Sequence, residues 1–189
     1  MAITMKDVRA CLDPDEPDYA AGKKLGAGAL PFLLELVRGG DLGLASKATY
    51  LASRIASDRS VEVVEAAAKT NEPILRVAAA AGLQHLKPIH AERVLNKLKS
   101  DPDPGVRKVM VKAAARVRSP RVAAVLKVIA QSDPEPFVRE ITTDLLAAPQ
   151  KMVTARAQQG AKKAPSRKTK GRAPTQLRPK EKPPSPGRR

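Results

Sequence analysis

The stretch DPDPGVRKVMVKAAARV, residues 101–117, decides the fold. A turn rich in aspartate, proline and glycine runs into a segment whose apolar or small residues are Val106, Met110, Ala113 and Ala114. These fall four, seven and eight positions after the first and so share one face of a helix. Proline just inside a helix start is tolerated, because that N–H has no partner in any case.

The same face is written three more times. The lead residues Leu44, Leu75, Val106 and Val138 are spaced 31, 31 and 32 apart. Ala48, Leu51 and Ala52 continue the first segment, and Ala79, Gly82 and Leu83 the second; Leu145 and Leu146 complete the fourth, with Thr142 the exception. Segments 29–38, 61–69, 91–98 and 121–130 lie between them, each with its own apolar stripe. Turn signals separate the segments at 39–41, 71–73, 101–105 and 132–136. The unit is therefore helix–turn–helix with a period near 31. One such pair cannot bury its apolar face alone and must stack on its neighbours. No strand pattern competes. The expected fold is an all-α solenoid of about four helix pairs over residues 25–149. Residues 1–24 read as a capping helix at Met5–Leu12 and a loop, and 22–28 as the loop into the first repeat. Residues 150–189 read as a separate tail.

Residues 101–117 and SDPEPFVREITTDLLAA, residues 132–148, resemble HEAT repeats, in particular the short bacterial form also found in phycobilin-lyase-like proteins. That resemblance implies a ladder between repeats, built from an aspartate in the turn and an arginine six positions on, at the start of the second helix. Asp101 with Arg107 and Asp133 with Arg139 match the pattern. Thr70 before Arg76 and Gly39 before Ala45 depart from it. The resemblance is closer in the second half of the array than in the first. It also implies that the second helices line a concave surface. Positions two, six and ten after each lead residue face away from the apolar stripe. The row they form carries Tyr50 and Arg54, His85, then Lys108, Lys112 and Arg116, then Glu140 and Asp144. One helix is basic and the next acidic. Such a mosaic suits a protein partner better than a nucleic-acid backbone, which calls for a continuous basic stripe. A solvated face, with Glu140 and Asp144 neutralising the basic helix from the neighbouring repeat, is the plainer reading of the same residues. Arg118 and Arg121 extend the basic patch at the turn.

Charge divides the chain in the same way as periodicity does. The formal net charge is +16, and residues 151–189 hold 13 Lys/Arg against Glu181 alone. A tail of that composition, with six prolines from Pro165 onward, cannot bury enough apolar surface to offset ordering entropy of roughly 1–2 kcal/mol per residue. Disorder is the expectation. Its densest block, Lys162, Lys163, Arg167, Lys168, Lys170 and Arg172, fits contact with successive phosphates of a polyanion.

Catalytic chemistry finds little support. His85 and His90 are separated by Pro88 and do not share a helix face as zinc ligands would, so no metal is expected. Neither histidine is followed by Glu, and the paired His-Glu motifs of HEAT-like di-iron hydroxylases are missing. Gly22, Gly26 and Gly28 follow no strand, so they do not form a phosphate loop, and no cofactor is expected. The single cysteine, Cys11, reads as a small buried residue of the first helix. No charged start followed by an apolar stretch is visible at the N-terminus, and no run approaches the ~18 apolar residues of a membrane span. The expected setting is intracellular and soluble, with a nucleoid or nuclear location compatible with the tail. The expected function is a non-catalytic scaffold or adaptor for a protein partner. The alternatives are non-specific DNA or RNA association through the tail and a regulatory or lyase-like subunit of an enzyme complex.

Overall fold

A computed structural model describes residues 2–161. The described residues are helical throughout their regular structure, in the order α1 (Met5–Leu12), α2 (Tyr19–Lys24), α3 (Leu30–Arg38), α4 (Leu42–Arg54), α5 (Ser60–Ala68), α6 (Pro73–Gly82), α7 (Pro88–Leu98), α8 (Pro104–Ala114), α9 (Pro120–Ser132) and α10 (Pro136–Ala161). Helices α3 to α10 form four successive pairs, so the all-α solenoid expected from the 31-residue period is the observed fold.

Local chemistry sets the ends of these helices. Thr4 and Asp7 form a reciprocal capping box at α1. Asp18, Asp41, Asp103 and Ser119 accept from backbone N–H groups at the starts of α2, α4, α8 and α9. Proline stands at the entry of α6, α7, α8 and α9.

Stacking makes two layers. Second helices run α4, α6, α8, α10 and first helices α3, α5, α7, α9. The second-helix layer is the more closely packed, which puts it on the inside of the curve. Small residues make that closeness attainable: Ala45, Ala48, Ala52, Ala79, Ala80, Ala113 and Ala114 are all buried. Gly82 shows the limit. A Cβ there would lie 2.7 Å from the Ser53 Cβ, so α6 can approach α4 this closely only without a side chain.

Thr142, the exception in the apolar face, is fully buried and donates its hydroxyl to the Val138 carbonyl at 2.6 Å. Thr49 does the same to Ala45 at 2.8 Å. A threonine that bonds the preceding turn is spared the cost of an unsatisfied buried hydroxyl.

The N-terminal region departs from expectation. Residues 19–24 form a helix instead of a loop, and Gly26–Ala29 form a 3-10 turn. Asp18 caps α2 through the Ala21 N–H at 2.8 Å, and Gly22 lets α2 lie against Leu51 of α4, where a Cβ would be 2.8 Å from the leucine methyls. Lys47 ties down the preceding loop by donating to the carbonyls of Leu12 and Pro14 at 3.1 and 2.9 Å. Cys11 is half-buried where full burial was expected. Its thiol is pushed up by burial, then by Asp18 and Asp7.

Candidate functional site

Two surfaces collect the residues singled out by sequence. The first is the edge where turns meet second helices. Arg107 lies almost wholly buried and forks Asp133 of the following repeat, Nε and Nη2 each at 2.9 Å from a carboxylate oxygen. Its Nη1 donates to the carbonyl of Asp101 at 2.7 Å. Arg76 repeats this arrangement, with Nε and Nη2 on Asp101 at 2.8 and 3.1 Å and Nη1 on the carbonyls of Thr70 and Asn71. The six-residue spacing therefore links an arginine to a main-chain carbonyl, and the charge pair spans to the next turn. Asp101 pairs with Arg76, and Asp133 with Arg107.

Each aspartate also holds its own turn, accepting from the N–H two residues on, Asp103 at 3.0 Å and Glu135 at 2.9 Å. Burial works to raise the Asp133 carboxyl, but Arg107, the Glu135 N–H and the Arg139 charge hold it below the usual aspartate value. Hydrogen bonding to their aspartates holds Arg76 and Arg107 above the ordinary arginine value, against the opposing effect of burial.

The second surface is the inner row. None of its twelve positions, from Ser46 to Ala148, is buried. At its N-terminal half, side chains of α2, α4 and the turn after α6 converge. The Tyr50 hydroxyl lies 3.2 Å from His85 Nε2, with the two rings edge to face at 5.5 Å between centroids. Tyr19 adds a second edge-to-face contact to Tyr50 at 5.1 Å. The Arg54 guanidinium stands 5.9 Å from the Tyr50 ring centroid, a cation–π contact. Arg116 reaches across from the turn after α8 to donate to Gln84 Oε1. Burial first, then Arg54, Arg116 and Lys23, lower the affinity of His85 for a proton, so the imidazole is neutral at neutral pH. The arrangement is an aromatic platform rimmed by three cations.

Further along the row, Lys108, Lys112, Glu140 and Asp144 are exposed. No ion pair joins the two helices among the described residues, so Glu140 and Asp144 do not neutralise Lys108 and Lys112 by direct contact. The charges on this half of the row remain available. Arg121 does not join the basic patch: it lies on the outer layer, 3.7 Å from Glu92. Lys162, Lys163, Arg167, Lys168, Lys170 and Arg172 lie outside the described residues.

The outer layer carries pairs that sequence reasoning missed. Arg93 of α7 contacts Glu65 of α5 at 2.9 Å, and Arg121 of α9 contacts Glu92 of α7. They form a second set of charge pairs between repeats, 28 and 29 residues apart. On the inner row Tyr19, Gln84 and Lys23 were also missed. No group of His, Cys, Asp and Glu among the described residues is placed to hold a metal ion, and no helix there is long and apolar enough to cross a membrane.

Residues 61–147 match the family model for HEAT repeats. From α5 onward the repeats are similar to HEAT repeats. The match begins at α5, where the ladder pattern strengthens. The pair α3–α4 precedes it, and there Gly39 and Ala45 replace the ladder residues. A chain in the solved complex of CpcE and CpcF of phycocyanin lyase from Nostoc sp. PCC7120 is similar in fold, with 22% identity, a TM-score of 0.58, and coverage of 75% of this chain and 96% of that one. That likeness shows a shared fold over most of the described residues. No curated protein sequence matches the chain.

Proposed function

We propose that this chain is a non-catalytic HEAT scaffold whose inner row binds an acidic segment of a protein partner, with the basic tail adding contact to a polyanion. The observation that carries the proposal is the Tyr19–Tyr50–His85 platform. It is ringed by Arg54, Arg116 and Lys23 and continues into uncompensated charges on α8 and α10. Aromatic groups and arginines supply large contact area together with directed hydrogen bonds, and they are the side chains on which interface energy concentrates. The alternation of Lys108 and Lys112 with Glu140 and Asp144 supplies register for a partner of complementary charge.

The experiment is affinity purification of the full chain and of a chain ending at residue 157, each with and without nuclease. A partner retained by the shortened chain after nuclease treatment supports the row as the binding surface. Loss of every partner on nuclease treatment favours the nucleic-acid reading. Substituting Arg54 and Arg116 with Ala together should weaken partner binding roughly tenfold or more, with the folded structure preserved, since both side chains lie outside the core.

The His85 environment gives a second readout. Burial and three nearby cations keep the imidazole neutral, so an acidic segment placed among them raises its proton affinity. The bound state then takes up a proton that the free state does not, and affinity rises as pH falls below neutral. NMR titration of His85 with and without partner measures this directly; an unchanged midpoint on binding would place the partner elsewhere. A lyase-like role within a complex is the second reading. It rests on the fold shared with the phycocyanin lyase complex, and its signature is copurifying absorbance in the visible range.

A further inference from the structure

Arg76, Arg107 and Arg139 occupy one register position in three successive repeats, and their hydrogen bonds form a series. Each turns Nη1 onto carbonyls of its own turn: Arg76 onto Thr70 and Asn71, Arg107 onto Asp101, Arg139 onto Asp133 and Pro134. The opposite edge of Arg76 and of Arg107, Nε with Nη2, forks an aspartate of the following repeat. For Arg139 that edge meets no acceptor among the described residues. The carbonyl bonds already fix the guanidinium plane, so the fork is preset for a carboxylate and little freedom is left to lose on closing it.

Burial at the same end of the array is incomplete in the same register. Val63 and Val94, on the first helices of the second and third repeats, are covered, whereas Val125 at the equivalent place in α9 is only half-buried. Ala113 and Ala114 of α8 are covered, whereas Leu145 and Leu146 of α10 are half-buried. Each of these covered positions lies in a repeat that has a successor. The last repeat thus offers an apolar face and an open carboxylate fork, the two features that every internal junction from Arg76 onward closes with the next repeat.

We propose that this end of the solenoid docks a helical repeat of a different, acidic chain, whose turn aspartate closes the Arg139 fork while its helices cover Val125, Leu145 and Leu146. A second copy of this chain does not fit. Its own first repeat carries Gly39 at the ladder position, its first-repeat face is occupied by α1 and α2, and its net charge of +16 opposes self-association.

The test is NMR of arginine Nε–Hε groups in the full 15N-labelled chain, with Arg139 assigned through Arg139→Lys. The probe is a synthetic peptide with the sequence of residues 130–148, which carries a turn aspartate ahead of a helix, beside a twin with asparagine in place of Asp133. The aspartate peptide should shift the Arg139 Nε–Hε resonance and bind roughly tenfold more tightly than its twin, and Arg139→Lys should remove the difference. Absence of a shift with either peptide, or equal shifts with both, overturns the proposal. A free-chain resonance that moves on Glu181→Gln also overturns it, by showing that the tail closes the fork. So does a concentration-dependent dimer abolished by Arg139→Lys, because the occupant is then a second copy.

Discussion

Between the third and fourth repeats the guanidinium of Arg107 lies buried on Asp133, whereas between the first and second the equivalent positions are Ala45 and Thr70. Both members of the rung are absent together. Ala45 is fully buried, and the Thr70 hydroxyl is satisfied locally by the Ala67 carbonyl at 2.9 Å. A buried ion pair exchanged as a unit for small, well-packed residues costs little, whereas removal of one partner strands a charge. The same junction can therefore be built in either way, and the first half of the array compensates with close packing: Gly82 against Ser53 and Gly22 against Leu51.

The sharpest way to break this comparison is to strand a charge in the second half. Arg107→Ala leaves the Asp133 carboxylate buried, with its side chain 2% exposed and without its fork. The expected loss is about 3–5 kcal/mol, read as a lowered denaturant midpoint. Replacing Arg107 and Asp133 together should cost clearly less than the sum of the single changes. If the double variant is as damaged as the sum, the pair is not acting as a unit.

In the first half the equivalent test is steric. Gly82→Ala places a Cβ 2.7 Å from Ser53 Cβ, so α4 and α6 must separate. The loss should be about 1–3 kcal/mol, and Ser53→Gly should recover part of it. Full stability in Gly82→Ala would show that the inner layer has slack there.

How far the sequence exposed these junctions differs with their origin. The 31-residue period was legible because each second helix repeats the same apolar offsets, and HEAT-like turns at 101 and 133 gave the arginine–aspartate vocabulary. The partners within the ladder were not legible, since the six-residue spacing carries a bond to a carbonyl. For that reason Thr70 can stand where an aspartate was expected without disturbing Arg76. Tyr50 and His85 could be placed on one surface from their offsets. Tyr19 could not, because it comes from α2, outside the periodic part of the chain. The outer pairs Glu65–Arg93 and Glu92–Arg121 sit on first helices that lack a shared lead motif, so their 28- and 29-residue spacing had no register to be read against.

Acid sharpens the comparison next. The folded Asp133 holds its proton less tightly than the same carboxyl in the unfolded chain, where protonation sets in near pH 4. The unfolded state therefore takes up the proton first. The rung's stabilisation is complete above that range and is lost as pH falls through the lower, folded value. Denaturant midpoints measured from pH 7 down to about pH 3 should fall more steeply for the natural chain than for Asp133→Asn. Equal slopes would assign the acid sensitivity to other carboxylates.

The smallest effect is expected on the outer layer, where repeats are also joined by opposite charges but in contact with water. Arg93 is 53% exposed, against 5% for Arg107, although both approach a carboxylate to 2.9 Å. Solvent screens the exposed pair and the long side chain gives up rotamer freedom to make it, so Arg93→Ala should cost less than about 1 kcal/mol. Salt separates the two cases independently: raising ionic strength should erase the Arg93 effect and leave most of the Arg107 effect in place. If both variants lost stability equally and with the same salt dependence, burial would not be what distinguishes the inner ladder from the outer one. The cohesion between repeats would then have to come from charge alternation on both faces alike.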